Sequence, residues 1–193
     1  GHLIFRENGT NQWQQVTDSN HNLRFYSYQN GAGYQFSLLS SGGIAFGTDT
    51  AQANALDDYE EGSFNAVIYA QYGTITADTS DDLCFYTKIG RIVIVQGRIA
   101  VGSVSSPSGQ LYIGGFPFNL ASAGETSHGM AVSVNIYNAA SNFGGEVVGE
   151  MTLTGGARIL IRGNGGTTSS VHTAAANIDS GSLIGFTAIY PST

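Results

Sequence analysis

Apolar residues recur at every second position through most of this chain. A period of two belongs to half-buried strands, and no stretch keeps the 3.6-residue period of an amphipathic helix. In Met130–Tyr137, residues Met130, Val132, Val134 and Ile136 alternate with Ala131, Ser133, Asn135 and Tyr137. Leu183–Tyr190 sets Ile184, Phe186, Ala188 and Tyr190 against Leu183, Gly185, Thr187 and Ile189. Arg91–Val101 is apolar almost throughout and reads as a central strand buried on both faces. Further strands are expected at Phe64–Ala70, Leu83–Lys88, Gln110–Ile113, Val147–Leu153 and Ala157–Arg162. Turn clusters at Thr79–Asp82, Ser105–Gly109 and Gly163–Gly166 divide them. The pattern predicts an all-β chain, with a jelly-roll-like β-sandwich as its main body.

Charge narrows the possible functions. Of 193 residues, 7 are Lys or Arg and 14 are Asp or Glu, a net charge of −7. Such a chain lacks the basic stripe of a nucleic-acid binder. No apolar run reaches the ~18 residues of a membrane span, and no signal-peptide pattern opens the chain. The lone cysteine, Cys84, excludes an internal disulfide and a cysteine-rich metal site. Charged residues make up 11% of the chain, and Lys88 is its one lysine. Lysine commonly guards sheet edges, so the edges are expected to be paired within an oligomer or dressed with Ser, Thr, Asn, Gln and Gly. Gly1-His2 reads as a cloning remnant, with natural chain expected upstream.

The first 50 or so residues differ in texture. Short strands (Leu3–Phe5, Leu23–Tyr28, Tyr34–Leu39, Ile44–Phe46) lie between polar turns such as Asn8-Gly9 and Asn30-Gly31. The segment holds too few large aliphatics to bury a core of its own. Either it winds around copies of itself as an oligomeric stalk, with Trp13 packed at the axis, or it pairs with the sandwich. The alanines of Ala51–Gly62, behind Asp49 or Thr50 as cap, predict one or two helical turns ending by Leu56. The expected division is a stalk at residues 1–54 and a sandwich head at 55–193.

Three stretches in order carry a resemblance: GIAFGTDTAQANALDDYEEGSF (Gly43–Phe64), FYTKIGRIVIVQGRI (Phe85–Ile99) and SGQLYIGGFPF (Ser108–Phe118), with FTAIYPST (Phe186–Thr193) at the end. Together they resemble the C-terminal part of bacteriophage tail fibres, shaft end followed by head. Phe116 stands where that family usually has Leu, and Asn65-Ala66 where Thr-Pro often follows the acidic block. The resemblance implies a homotrimeric fibre tip of the virion, acting outside the cell. It would bind a bacterial surface receptor, glycan or outer-membrane protein, without catalysis, cofactor, nucleic acid or membrane insertion. The other readings are a fragment of a polysaccharide-depolymerising tailspike and a purely structural spacer. Residues 119–177 match nothing in the family pattern, and there the receptor contacts are expected.

Function on a β scaffold concentrates in loops, and three polar ones lie there: Asn119–Gly129, Asn138–Glu146 and Gly163–Ser170. Sugar recognition needs an aromatic face with amide or carboxylate partners. Phe143 with Asn138, Asn142 and Glu146 supplies those types, and Glu125, His128 and Asn164 join them if the loops converge. The plainer alternative packs Phe143 onto the sheet. Chemistry finds little support elsewhere. Asp57, Asp58, Glu60 and Glu61 offer carboxylates for calcium but lack a DxDxDG loop, and a pairing with Arg91 or Arg98 of a neighbouring chain is the better expectation. The pairs Asp81/Asp82 and Glu146/Glu150 are weak glycosidase candidates. His21, His128 and His172 lack metal-ligand spacing, and Gly163–Gly166 reads as a turn, not a phosphate loop.

Overall fold

The computed structural model describes residues 1–29, 31–80, 82–121, 128–140, 143, 146–152, 157–164 and 174–192. The chain is all-β, as the alternation requires, and divides into two compact units, Gly1–Tyr59 and Glu60–Thr193.

The first unit is an antiparallel meander of β1 (His2–Glu7), β2 (Thr10–Thr17), β3 (Leu23–Ser27), β4 (Gly33–Leu38) and β5 (Ile44–Phe46), in that spatial order. Asn8 (φ 49°) and Gly9 (φ 79°) form the two-residue hairpin joining β1 to β2, the positive-φ pair that the twist of such a hairpin demands. The turn before β3 is built on Asp18. Its carboxylate accepts the N–H groups of Asn20 (2.9 Å) and Asn22 (3.0 Å). In place of one or two helical turns after Thr50, a single 3₁₀ turn forms at Gln52–Asn54. Asp49 ends it early by accepting from Ala51 N–H (2.8 Å) and Asn54 Nδ2 (2.7 Å). Leu56 then pairs with Ile44 through two backbone hydrogen bonds, which require extended chain.

The second unit contains β6 (Tyr59–Ser63), β7 (Val67–Ala77), β8 (Leu83–Ile89), β9 (Ile92–Gly114), β10 (His128–Tyr137), β11 (Glu146–Thr152), β12 (Arg158–Asn164) and β13 (Leu183–Pro191). Two long strands are shared between sheets. The first part of β9 lies between β8 and β13, and its last residues lie between β7 and β12. β10 likewise pairs first with β11 and then with β13. The ladder β9–β13–β10–β11–β12 therefore returns to β9, so the sandwich is closed like a barrel. Val93, Val95, Ile99, Leu111, Ile113, Ile159, Ile161 and Ile184, all fully buried, fill its interior.

Two expectations are corrected here. Ser105–Gly109 is no turn: β9 runs through it, with Ser106 and Gly109 at positive φ where the register against β7 shifts. Such irregularities absorb Pro107, which donates no ladder hydrogen bond. And Arg91–Val101 is central by pairing but is not covered on both faces. Val93 and Val95 point inward, while Ile92 is 48% exposed.

Candidate functional site

The outward face of β8, β9, β13 and β10 carries a groove among the described residues. Cross-strand partners share a face, so register sets Leu83, Arg98, Gly185 and Asn135 in one row and Phe85, Gln96, Thr187 and Ser133 in the next. These two rows line a groove of about 440 Å³. Gly185 has no side chain to fill the middle of the first row, and nothing stands closer than 4.0 Å to where its Cβ would be. Phe85 forms one wall of the groove and also borders a second depression with Glu61, Gly62 and Ser63. Further along, the face turns apolar with Ile89, Ile92 and Ile189.

Close packing lies beneath the face. Cys84 is buried between Leu83 and Phe85, as its strand context predicts, and burial pushes its thiol upward from the ordinary value. It faces Gly97, where any Cβ would collide with its Sγ. An open aromatic ring, two amides, a guanidinium and two hydroxyls in one groove offer stacking and hydrogen bonding together. That combination suits a polyhydroxylated ligand better than a purely apolar one.

The loop residues singled out from the sequence separate. Asn138 caps the end of β10 at φ 54°. Its carbonyl accepts from Ser182 Oγ (2.9 Å) and its Nδ2 donates to the Gly181 carbonyl (3.5 Å), so it clasps the turn before β13. Phe143 packs against the core, and its carbonyl stands where a Cβ on Gly163 would collide with it. Phe143 thus packs as the plainer alternative has it, and Asn138 holds a turn. Glu146 and Asn164 are direct cross-strand partners at one end of the β11–β12 ladder. His128 pairs with Thr152 at the opposite end of β11, roughly 20 Å away at about 3.3 Å per residue. Glu125 and Asn142 lie outside the described residues.

The carboxylate candidates divide similarly. Glu150 holds Arg162 at 3.0 Å, and its Cα lies four positions from that of Glu146, roughly 13 Å along the strand. Asp82 accepts the backbone N–H of Ala100 (3.1 Å), and Asp81 lies outside the described residues. Within the acidic block, Glu60 approaches Lys88 of the same chain (3.9 Å). No group of three or more His, Cys, Asp or Glu is placed to hold a metal ion among the described residues.

Sequence reasoning missed the groove because its signal is split. Phe85, Gln96 and Asn135 are each unremarkable in their strands, and only the register across four strands puts them together. A usable hint was present in LCFYTKI, where apolar residues occupy both faces of one strand.

No family model matches the chain, and no curated protein matches it. Among solved structures it is similar to the Dettilon tailspike protein (gp208), with a TM-score of 0.59 and 19% identity. The likeness covers 70% of this chain and 24% of that one, so this chain spans about a quarter of the tailspike. What the two share is a fold.

Proposed function

We propose that this chain is the tip of a bacteriophage tail fibre or tailspike, a homotrimeric adhesin of the virion that holds a bacterial surface receptor without cleaving it. The observation that carries the reading is the groove between Phe85, Gln96, Arg98, Asn135 and Thr187, set on a closely packed sheet. The ordered tail-fibre motifs and the fold shared with a tailspike protein point the same way. Of the two receptor classes, glycan and outer-membrane protein, the mixture of ring, amides and hydroxyls favours the glycan. Glu125, His128, Asn142, Glu146 and Asn164 are proposed as further contacts. Three copies on one tip give avidity from weak single sites.

The test is binding of the fluorescently labelled protein to a panel of intact bacteria and to their purified lipopolysaccharide, with release of reducing ends followed in parallel. Retention without sugar release supports the adhesin. Release of reducing ends makes it a depolymerase, and assembly without retention on any strain makes it a spacer. On a retaining strain, Phe85→Ala should weaken single-site binding roughly tenfold, about 1.4 kcal/mol.

A further inference from the structure

We propose that one face of the β1–β5 sheet is the surface through which copies of this chain join, so that the first unit completes its core only in the assembly. The inference rests on the homotrimer reading and names the residues that the reading leaves open. Phe25 and Phe36 stack directly across β3 and β4, with ring centroids 4.3 Å apart. Starting from that pair and following direct partners outward, the same face carries Leu3 and Phe5 on β1, Trp13 on β2 and Phe46 on β5. Leu23, Leu38 and Ile44 fill the remaining places, and Gln15 and Ser27 are its polar members between them. Glu7, at the end of β1, is the charged residue that the alternation puts on this face, at its rim.

The opposite face is satisfied within the chain. Arg24 lies 3.6 Å over the Tyr34 ring and donates to Ser37 Oγ (3.1 Å), and Tyr28 donates to Gln14 (2.6 Å). The apolar face has no such cover: Leu3 is 54% exposed, Phe5 51%, Trp13 42%, Leu38 40% and Phe46 65%. Within this unit the five strands make a single layer, and Leu39 and Ala45 are its buried apolar residues among those described.

At about 200 Å² for a whole aromatic side chain, the open parts of Phe5, Trp13 and Phe46 leave roughly 300 Å² of apolar surface. The aliphatic residues roughly double that, which reaches the largest patch of an ordinary monomer, about 300–600 Å², and approaches the roughly 800 Å² each partner gives to a stable interface. The occupant has to be present whenever the chain folds, because the unit has no core without it. Its contact surface must also be apolar, since the exposed side chains it would cover are Leu3, Phe5, Trp13, Leu38 and Phe46. A second copy presenting the same face meets both conditions.

Trp13 is the single tryptophan and sits on this face, so its fluorescence reports on the contact in the unmodified protein. The full chain is examined by light scattering for mass and by acrylamide quenching of Trp13. A mass of several chains with Trp13 blue-shifted and protected supports the proposal. A mass of several chains with Trp13 freely quenched overturns it and leaves the homo-oligomer reading standing, with the contact elsewhere. A mass of one chain overturns both. Phe46→Glu is expected to shift the mass toward one chain and expose Trp13. Should that variant fail to fold, Leu38→Cys in a Cys84→Ala background gives the second test. Chain-to-chain cross-links under mild oxidation support the shared face, and their absence in an assembled protein overturns it.

Discussion

The two units use the same strands with the same alternation but dispose of their apolar side chains differently. In Glu60–Thr193 the ladder closes on itself, and inward residues of β9, β12 and β13 such as Val93, Ile113, Ile161 and Ile184 meet across an interior where they are fully buried. In Gly1–Tyr59 five strands make one open layer, and the residues that would form a core lie half in water. Alternation thus fixes which side chains share a face, and topology decides whether that face finds its cover inside one chain. The second unit buries its core within one chain. On the proposed face the first unit takes its cover from other copies, which makes its stability inseparable from concentration.

The strongest way to break this comparison is to separate the parts. Residues 60–193 expressed alone should give a cooperative thermal transition by circular dichroism, and residues 1–59 alone should give none at low concentration. A well-dispersed amide spectrum from a monomeric 1–59 fragment would show that one layer suffices. Within the head, Ile99→Ala removes a fully buried side chain and should cost about 2–5 kcal/mol in denaturant unfolding, independent of protein concentration. Phe36→Ala in the first unit should instead cost stability that grows as the protein is diluted. Equal behaviour of the two variants would erase the distinction.

What was legible in the sequence follows the same divide. Strands with large alternating residues, such as Met130–Tyr137 and Leu183–Tyr190, are found essentially where expected. β2 was missed because TNQWQQVT places Trp13 and Val16 among amides, leaving almost no alternation to read. The run through Ser105–Gly109 was misread because Pro and Gly mark turns locally, while the partner β7, far away in sequence, holds them in a bulged ladder. The groove depends on four strands in register, and no local pattern encodes it. Of the seven loop residues, Asn138 holds the turn before β13 and Phe143 packs against the core, contacts that no local pattern in the sequence encodes.

Smaller effects set the two units at opposite ends of the pH scale. In the head, Tyr190 is 1% exposed and donates to the Phe118 carbonyl (3.1 Å), and burial pushes its phenol from 10.0 up to about 12. Its folded value lies above the unfolded one, so its contribution is complete below pH 10 and fades as pH rises toward 12. Tyr190→Phe should flatten that alkaline loss, at the expense of a hydrogen bond worth about 1 kcal/mol at neutral pH. Unchanged alkaline unfolding in the variant would mean that other groups govern it.

The first unit answers to acid. The Ala51 N–H and the Asn54 amide hold the Asp49 carboxyl below its ordinary 3.8. At Asp18 some desolvation opposes the shift, but donation from Asn22 and Asn20 and the nearby Arg24 outweigh it, again lowering the value. A folded value below the unfolded one means that both carboxylates support the fold above pH 3.8 and lose that support as pH falls through their lowered values. Among the described residues of the second unit, Asp78 is lowered in the same way by its hydrogen bonds to Ser80. Acid should therefore loosen the first unit before the head, and because Trp13 lies in the first unit, its emission should shift to the red before the far-UV signal of the whole chain collapses. Asp49→Ala should lower the stability of the first unit at neutral pH and make its Trp13 transition less steep in pH. Each carboxylate is solvent-accessible, so the shift per site is small and salt-dependent. If instead the head's far-UV signal falls first while Trp13 holds its emission, the open layer is the better protected of the two, and a contact stronger than the proposed face must be covering it.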